Sequence, residues 1–129
     1  KRPIPLFCKR LWWLPLKKRS EWYLMSDQDL TKPVPCDWLV GAALMIKKEL
    51  FEKLGGFDER FFLFFEDTDL CRRVKQAGFE VWYCPDSVFF HTQKRLSESE
   101  WPLMWLFKKT FWIHVVSACK YFAKWSNKS

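Results

Sequence analysis

The stretch from Gly55 to His91 constrains the fold most, because a helix end, an aromatic loop, an acidic helix start and two strand patterns follow one another within it. Acidic residues favour the first turn of a helix, and a glycine commonly ends one. Glu66 begins such an acidic turn and Gly78 supplies the glycine, so we predict a helix from Glu66 to Ala77. Its apolar side should be formed by Leu70, Cys71, Val74 and Ala77.

The acidic residues of this predicted helix should point to different sides. Asp67 precedes Leu70 by three residues and Cys71 by four, so its carboxylate should lie along the buried side. Asp69 and Arg73 should lie on the neighbouring polar side, as an ordinary ion pair worth roughly a few tenths of a kcal/mol. Asp67 is therefore either an acid that simply favours a helix start or a residue with a chemical task.

A supporting segment is predicted before this helix. Trp38 to Ile46 is typical of a buried strand or extended segment, in which Gly41 and its alanine neighbours leave room for an aromatic ring or a substrate beside the backbone. A short helix should follow from Lys47 to Leu54. Gly55 should end it, and Phe57 should pack back on its last turn.

The aromatic segment from Phe61 to Phe65 is too apolar for a free loop, so its rings should fix the acidic helix start in place. After the helix, Phe79 to Cys84 alternates in the manner of a strand that stops at Pro85. Val88 to Phe90 predicts a second short strand that leads into His91. On its own, a single histidine is more often a surface or core residue than a metal ligand.

Several elements recur in a fixed order: a small-residue segment after a tryptophan, a GGFDE turn, an FFLFFED acidic start with basic residues on the same helix, an AG turn and a strand ending in histidine. In this order they resemble the second half of the catalytic domain of family-2 glycosyltransferases of the bacterial rhamnosyltransferase-like kind, from Asp37 to about Ser97. The resemblance implies an α/β fold, namely the C-terminal part of a GT-A domain with a C-terminal helical extension. It also implies transfer of a sugar from a nucleotide diphosphate to an acceptor hydroxyl, with inversion, in glycan or cell-envelope polysaccharide synthesis.

The same resemblance assigns roles to residues near the acidic helix start. The aspartate that matches Asp67 is the catalytic base, which accepts the proton of the acceptor hydroxyl. Asp37, Trp38 and Glu66 would border the acceptor site. Trp38 is equally compatible with a position in the core.

Further roles fall on the segment that follows the predicted strands. The histidine that matches His91 helps to hold a divalent metal, which we expect to be Mg²⁺ or Mn²⁺. Lys94 and Arg95 are candidates for contact with the phosphates of the donor.

We divide the chain into a basic, aromatic N-terminal segment and connector (1–36), the acceptor and base half of a transferase domain (37–97) and a basic, aromatic helical extension (98–129). The donor-binding half of the family, with its Asp-x-Asp metal motif, should lie outside this chain, so we expect the 129 residues alone to be inactive. The expected partners are a nucleotide-diphosphate sugar, bound with that half, and a glycan or lipid-linked acceptor.

Composition limits the alternatives. A hydrophobic fraction of 49% excludes a disordered chain, and a net charge of +7 favours an anionic partner. No RNA-binding motif is present, so we expect no nucleic acid and keep a non-enzymatic module that binds an anionic membrane surface as the alternative. The five cysteines show no metal or disulfide spacing, which favours reduced thiols in the cytoplasm. The helix predicted from Ser97 to about Trp125 should either pack on the domain or lie at the inner face of a membrane as a peripheral contact.

Overall fold

A computed structural model describes Met25, residues 27–91 and residues 109–126 of the chain. In chain order the elements are strand β1 (Val34–Pro35), helix α1 (Lys48–Lys53), helix α2 (Glu66–Gln76), strand β2 (Trp82–Tyr83) and helix α3 (Lys109–Ser126). The strands form an antiparallel pair in which Val34 lies opposite Tyr83 and Pro35 lies opposite Trp82. The described part is therefore helical with one small sheet.

Helix α1 ends as the glycine pair predicts. Gly55 takes a left-handed φ of 76° and donates its N–H to the carbonyl of Glu52 at 2.9 Å. Gly56 has a φ of 69° and donates to the carbonyl of Phe51, also at 2.9 Å, which completes a Schellman motif. The Phe57 ring packs edge-on against Phe51 with 5.4 Å between centroids. The predicted helix, its stop and the returning phenylalanine are confirmed.

Helix α2 also agrees with its predicted bounds. It runs Glu66–Gln76, Ala77 is its C-cap, and Gly78 follows with a φ of 83°. The N–H of Phe79 reaches back to the carbonyl of Val74 at 3.2 Å. One detail of the prediction is wrong, since Ala77 is exposed rather than part of the buried side.

The predicted strands are mostly absent from the described residues. Residues 38–46 are irregular chain with one turn at Gly41 and Ala42, where the N–H of Ala43 bonds to the carbonyl of Val40 at 3.3 Å. Only Trp82–Tyr83 of the alternating segment is a strand, and Val88–Phe90 is exposed chain in which Phe90 is 99% exposed. A strand needs a neighbour to satisfy its backbone, and in the described ranges only β1 pairs with β2.

Two apolar clusters lie on different sides of α2. The first joins α2 to the β1–β2 region and consists of Cys36, Cys71, Val74 and Val81. The second joins the aromatic segment to α3 and consists of Phe61, Phe65, Ala118, Tyr121 and Trp125. One face of α3 thus packs on the domain, which is one of the two predicted alternatives. The predicted start of this helix near Ser97 lies outside the described residues.

Within the described residues, no helix is both long enough and apolar enough to cross a membrane.

Candidate active site

The start of α2 has an unusual backbone. Phe64 and Phe65 both lie in the left-handed region, with φ of 67° and 70°, and Phe65 caps the helix without a side-chain hydrogen bond. Non-glycine residues in this region carry strain and are concentrated at functional sites. The strain directly precedes the acidic turn that begins with Glu66.

Contacts with α3 hold this strained segment in place. Phe65 is buried and its ring centroid lies 5.3 Å from that of Tyr121. The Ser117 hydroxyl donates a 2.7 Å hydrogen bond to the carbonyl of Leu63. Phe61 is also buried, whereas Phe62 is exposed. The prediction that the aromatic segment fixes the helix start is confirmed, and the partner that it packs against is α3.

Asp67 is held from two sides. Its Oδ2 accepts a hydrogen bond from the backbone N–H of Gly41 at 2.8 Å. Its Oδ1 accepts bonds from the N–H of Thr68 at 2.6 Å and from the Thr68 hydroxyl at 3.2 Å. The side chain is half-buried, so the carboxylate has a fixed direction and remains in contact with solvent. The side chain beside Gly41 is this aspartate rather than an aromatic ring.

Asp69 corrects the sequence-based picture of the helix. It is 0% exposed and accepts bonds from Arg73 Nε at 2.8 Å, from Lys124 Nζ at 2.8 Å and from Trp125 Nε1 at 2.9 Å. The ordinary surface pair predicted for Asp69 and Arg73 is therefore wrong. The sequence pattern missed this residue because two of its partners come from α3.

The Asp69 network extends to the turn after α1. Arg73 also donates to the carbonyls of Leu54 and Gly56, each at 2.7 Å, and so binds the end of α1. Lys124 donates a second bond to Asp58 at 2.7 Å. The Arg60 guanidinium, followed by Lys124, holds the pKa of Asp58 well below its usual range. Asp58 also begins the turn that leads to Phe61, whose N–H donates to the Asp58 carbonyl at 2.9 Å.

Two buried polar atoms beside the helix start have no hydrogen-bond partner among the residues that the structure describes. They are Oε2 of Glu66 and Nε2 of His114. Burial raises the pKa of Glu66, and the neighbouring Asp67 acts in the same direction. Burial likewise lowers the pKa of His114, whose ring lies 4.7 Å from that of Phe64 between centroids. Both shifts favour the uncharged forms of these side chains.

Asp37 and Trp38 lie beside the first apolar cluster. Lys75 of α2 donates to Asp37 at 2.6 Å, and Trp38 packs half-buried against the cluster. This packing supports the alternative that Trp38 is a core residue. The acceptor role assigned to Asp37, Trp38 and Glu66 stays a prediction.

No described contact joins Asp67 to the residues predicted to bind the metal and the phosphates. His91 is exposed at the end of the described segment, and Lys94 and Arg95 lie outside the described residues. Within residues 27–91 and 109–126, no three His, Cys, Asp or Glu side chains are gathered in a way that could hold a metal ion. The described part alone therefore does not fit a divalent cation.

A family described as the N-terminal domain of galactosyltransferase matches residues 25–95, more than half of the chain. The chain belongs to this glycosyltransferase family. The match includes the acidic start of α2, Asp67 and the glycine loop that binds it. The general prediction of a glycosyltransferase is thereby confirmed. Family-2 membership and a place in the second half of the catalytic domain stay predictions.

Several relatives of this chain are named as sugar transferases. It is 35% identical over 79 residues to an N-acetylglucosaminyl-diphospho-decaprenol L-rhamnosyltransferase of Mycobacterium tuberculosis, covering 60% of this chain and 26% of that protein. It is 31% identical over 88 residues to the rhamnosyltransferase WbbL of Escherichia coli, covering 68% and 31%. A low-salt glycan biosynthesis hexosyltransferase of Haloferax volcanii is 29% identical over 59 residues, covering 46% and 19%.

The chain spans between a quarter and a third of the length of these two rhamnosyltransferases. No solved structure matches it. The GT-A fold of the complete domain therefore stays a prediction.

Proposed function

We propose that this chain carries the acceptor side and the catalytic base of an inverting glycosyltransferase. The complete protein would move a sugar from a nucleotide diphosphate to a hydroxyl of a glycan or lipid-linked acceptor. The observation that carries the proposal is the geometry of Asp67. Its half-buried carboxylate is oriented by Gly41 and Thr68, directly after two strained residues, in a chain of the glycosyltransferase family.

The proposed reaction is a single displacement. The acceptor oxygen forms a bond to the anomeric carbon from one face while the bond from that carbon to the diphosphate breaks on the other face. Asp67 accepts the hydroxyl proton as the new bond forms and later releases it to solvent. A carboxylate that is already oriented loses little freedom when the acceptor binds, which favours a base held as Asp67 is held.

Glu66 fits a second role at the same helix start. Its buried Oε2 has no partner among the described residues, and burial raises its pKa, so this carboxyl group is suited to a hydrogen bond with an acceptor hydroxyl. We propose Asp37 and Trp38 as more distant borders of the acceptor site.

A divalent cation, when bound, would neutralise charge on the leaving diphosphate. His91 offers one imidazole ligand for Mg²⁺ or Mn²⁺. The described residues provide no cluster of further metal ligands around His91, so no step of the proposed reaction depends on the ion. Lys94 and Arg95 stay candidates for the phosphates. We expect the 129 residues alone not to turn over a nucleotide sugar, because donor binding belongs to the rest of the complete protein.

The test is Asp67→Asn in the complete protein. Asparagine keeps the size of the side chain and one acceptor oxygen, but it cannot take up the proton. We expect transfer to fall by about 10² to 10⁴-fold, the usual contribution of a general base. Transfer is measured with a panel of nucleotide-diphosphate sugars that includes rhamnose, the sugar in the relatives' names.

Asp86→Asn is the matched control, since Asp86 is an exposed aspartate in the turn after β2. It should retain the activity of the parent protein. Far-UV circular dichroism confirms that both variants are folded. Transfer by folded Asp67→Asn at more than about a tenth of the parent rate would show that Asp67 is not the base.

A further inference from the structure

Helix α3 has two apolar faces, and among the described residues only one of them is buried against the domain. The inner face carries the buried residues Ser117, Ala118, Tyr121 and Trp125. The opposite face, which we call the outer face, follows helical spacings of four, three and four residues. It consists of Trp112, Val116, Cys119 and Ala123, with Phe122 beside them.

The outer face is exposed along its length. Trp112 is 56% exposed, Val116 49% and Phe122 45%, and Cys119 and Ala123 are exposed as well. A surface helix normally turns polar residues toward water, whereas a helix that is apolar all round is covered by protein or lipid. A continuous exposed apolar stripe of this kind marks an interaction surface.

The charge around the outer face is of one sign. From Trp101 to Ser129 the sequence contains five lysines and no acidic residue. Lys109 and Lys120 are exposed and lie along one edge of the stripe, three residues before Trp112 and four after Val116. Lys120 donates to the carbonyl of Arg60 at 3.0 Å, but this neutral partner leaves its charge uncompensated. Lys124 does not contribute to this edge, because it is bound to Asp58 and Asp69.

We propose that the outer face of α3 docks on the surface of an anionic phospholipid bilayer, with the helix axis parallel to the membrane. Tryptophan and lysine side chains both favour the headgroup region, and the aliphatic and aromatic groups between them enter the boundary with the acyl chains. Attraction to anionic headgroups adds to the apolar contact. The inner face stays packed on the domain, so the Asp67 site is carried at a fixed distance from the lipid surface.

A second copy of the chain is a less suitable occupant. Two outer faces brought together would place lysine edges near each other, and α3 has no acidic residue to pair with them. The membrane proposal does not depend on sugar transfer, so vesicle binding can succeed or fail independently of the Asp67→Asn test.

The experiment is flotation of the full chain with vesicles of phosphatidylcholine, with and without phosphatidylglycerol. The test variant is Val116→Glu combined with Phe122→Glu, which places two carboxylates on the outer face. The matched control is Met45→Glu, which adds a carboxylate at an exposed apolar side chain outside α3. We expect flotation only with the anionic vesicles, a loss of at least about tenfold in binding by the double variant, and parent-like binding by the control.

A second measurement does not require charged substitutions. Cys119 lies on the outer face and Cys84 is exposed elsewhere, so each can carry an environment-sensitive fluorophore. Burial raises the pKa of Cys36 to about 11 and also raises that of Cys71, so these two react slowly. Cys8 is replaced by serine, and Cys84 or Cys119 is replaced in turn. Anionic vesicles should shift the emission of the Cys119 probe to the blue and leave the Cys84 probe unchanged.

Three results would overturn the proposal. The first is an absence of flotation, or equal flotation by the parent chain and the folded double variant. The second is equal binding to neutral and anionic vesicles. The third is a dimer in solution that the double variant dissociates, because the outer face would then be covered by a second copy.

Discussion

Replacement of Asp69 by asparagine is expected to lower the free energy of unfolding by about 3 kcal/mol. Asparagine has nearly the same shape, so no cavity is created, but the change removes the negative charge and replaces one of the two acceptor oxygens with an NH₂ donor. That charge is 0% exposed and faces Arg73 and Lys124, whose side chains are only 16% and 10% exposed. The variant therefore leaves the Arg73 and Lys124 cations poorly solvated and without the Asp69 counter-charge.

The magnitude follows from what each partner retains. Removal of one member of a buried ion pair usually costs about 3 to 5 kcal/mol. Lys124 keeps its bond to Asp58, and Arg73 keeps the carbonyls of Leu54 and Gly56. Trp125 Nε1 can still donate to the amide oxygen of asparagine. These remaining bonds place the expected cost at the lower end of the range.

Urea unfolding followed by far-UV circular dichroism measures the change. Glu52→Gln is the matched control, because Glu52 pairs with Lys48 at 3.7 Å on the exposed surface of α1. It should cost less than about 0.5 kcal/mol, as exposed helix pairs do. An Asp69→Asn cost as small as that of the control would refute the argument, since the pair would then behave as the surface pair that the sequence pattern indicates.

Two further substitutions test the ends of α2. The raised pKa of Glu66 means that its ionisation opposes folding, so this destabilisation grows as the pH rises through the ordinary glutamate range. Glu66→Gln should therefore be at least as stable as the parent chain at pH 7, and this advantage should disappear below about pH 4. Urea unfolding between about pH 4 and pH 7 measures the difference, and a variant less stable than the parent chain at pH 7 would contradict the prediction. Gly78→Ala should lower the free energy of unfolding by about 1 kcal/mol, because Gly78 has a φ of 83° and a Cβ there would meet no other atom, so only backbone strain is added. An unchanged midpoint of thermal unfolding would contradict this prediction and show that the helix end relaxes freely.

Local signals made the helices predictable. Glycines at 55 and 78 end α1 and α2 by hydrogen bonds within a few residues, and such motifs are encoded in short segments. The position of Asp67 at the helix start is equally local. Its bond to Gly41 was not specified by sequence, because it joins residues 26 positions apart.

Asp69 shows why the remainder of the site could not be predicted. The sequence pattern assumed one buried side on α2, containing Leu70 and Cys71. In the structure α2 is covered on a second side by Lys124 and Trp125, which follow Asp69 by more than fifty residues. The spacing of apolar residues within α2 does not indicate that α3 packs against it. The predicted strand at Val88–Phe90 failed for a related reason, since residue types that favour strands do not specify a hydrogen-bonded partner.

The Asp69 network also bears on how the chain acquires its structure during synthesis. Asp69 is made long before Lys124 and Trp125, so its carboxylate has no partner from α3 until the last part of the described chain has been added. Until then the strained start of α2 lacks its contacts with Tyr121 as well. Fragments that stop before Ser117 would expose the Phe61 and Phe65 rings and leave Arg73 as the partner of Asp69, which makes them substrates for proteolysis. The network thus couples formation of the Asp67 site to completion of α3.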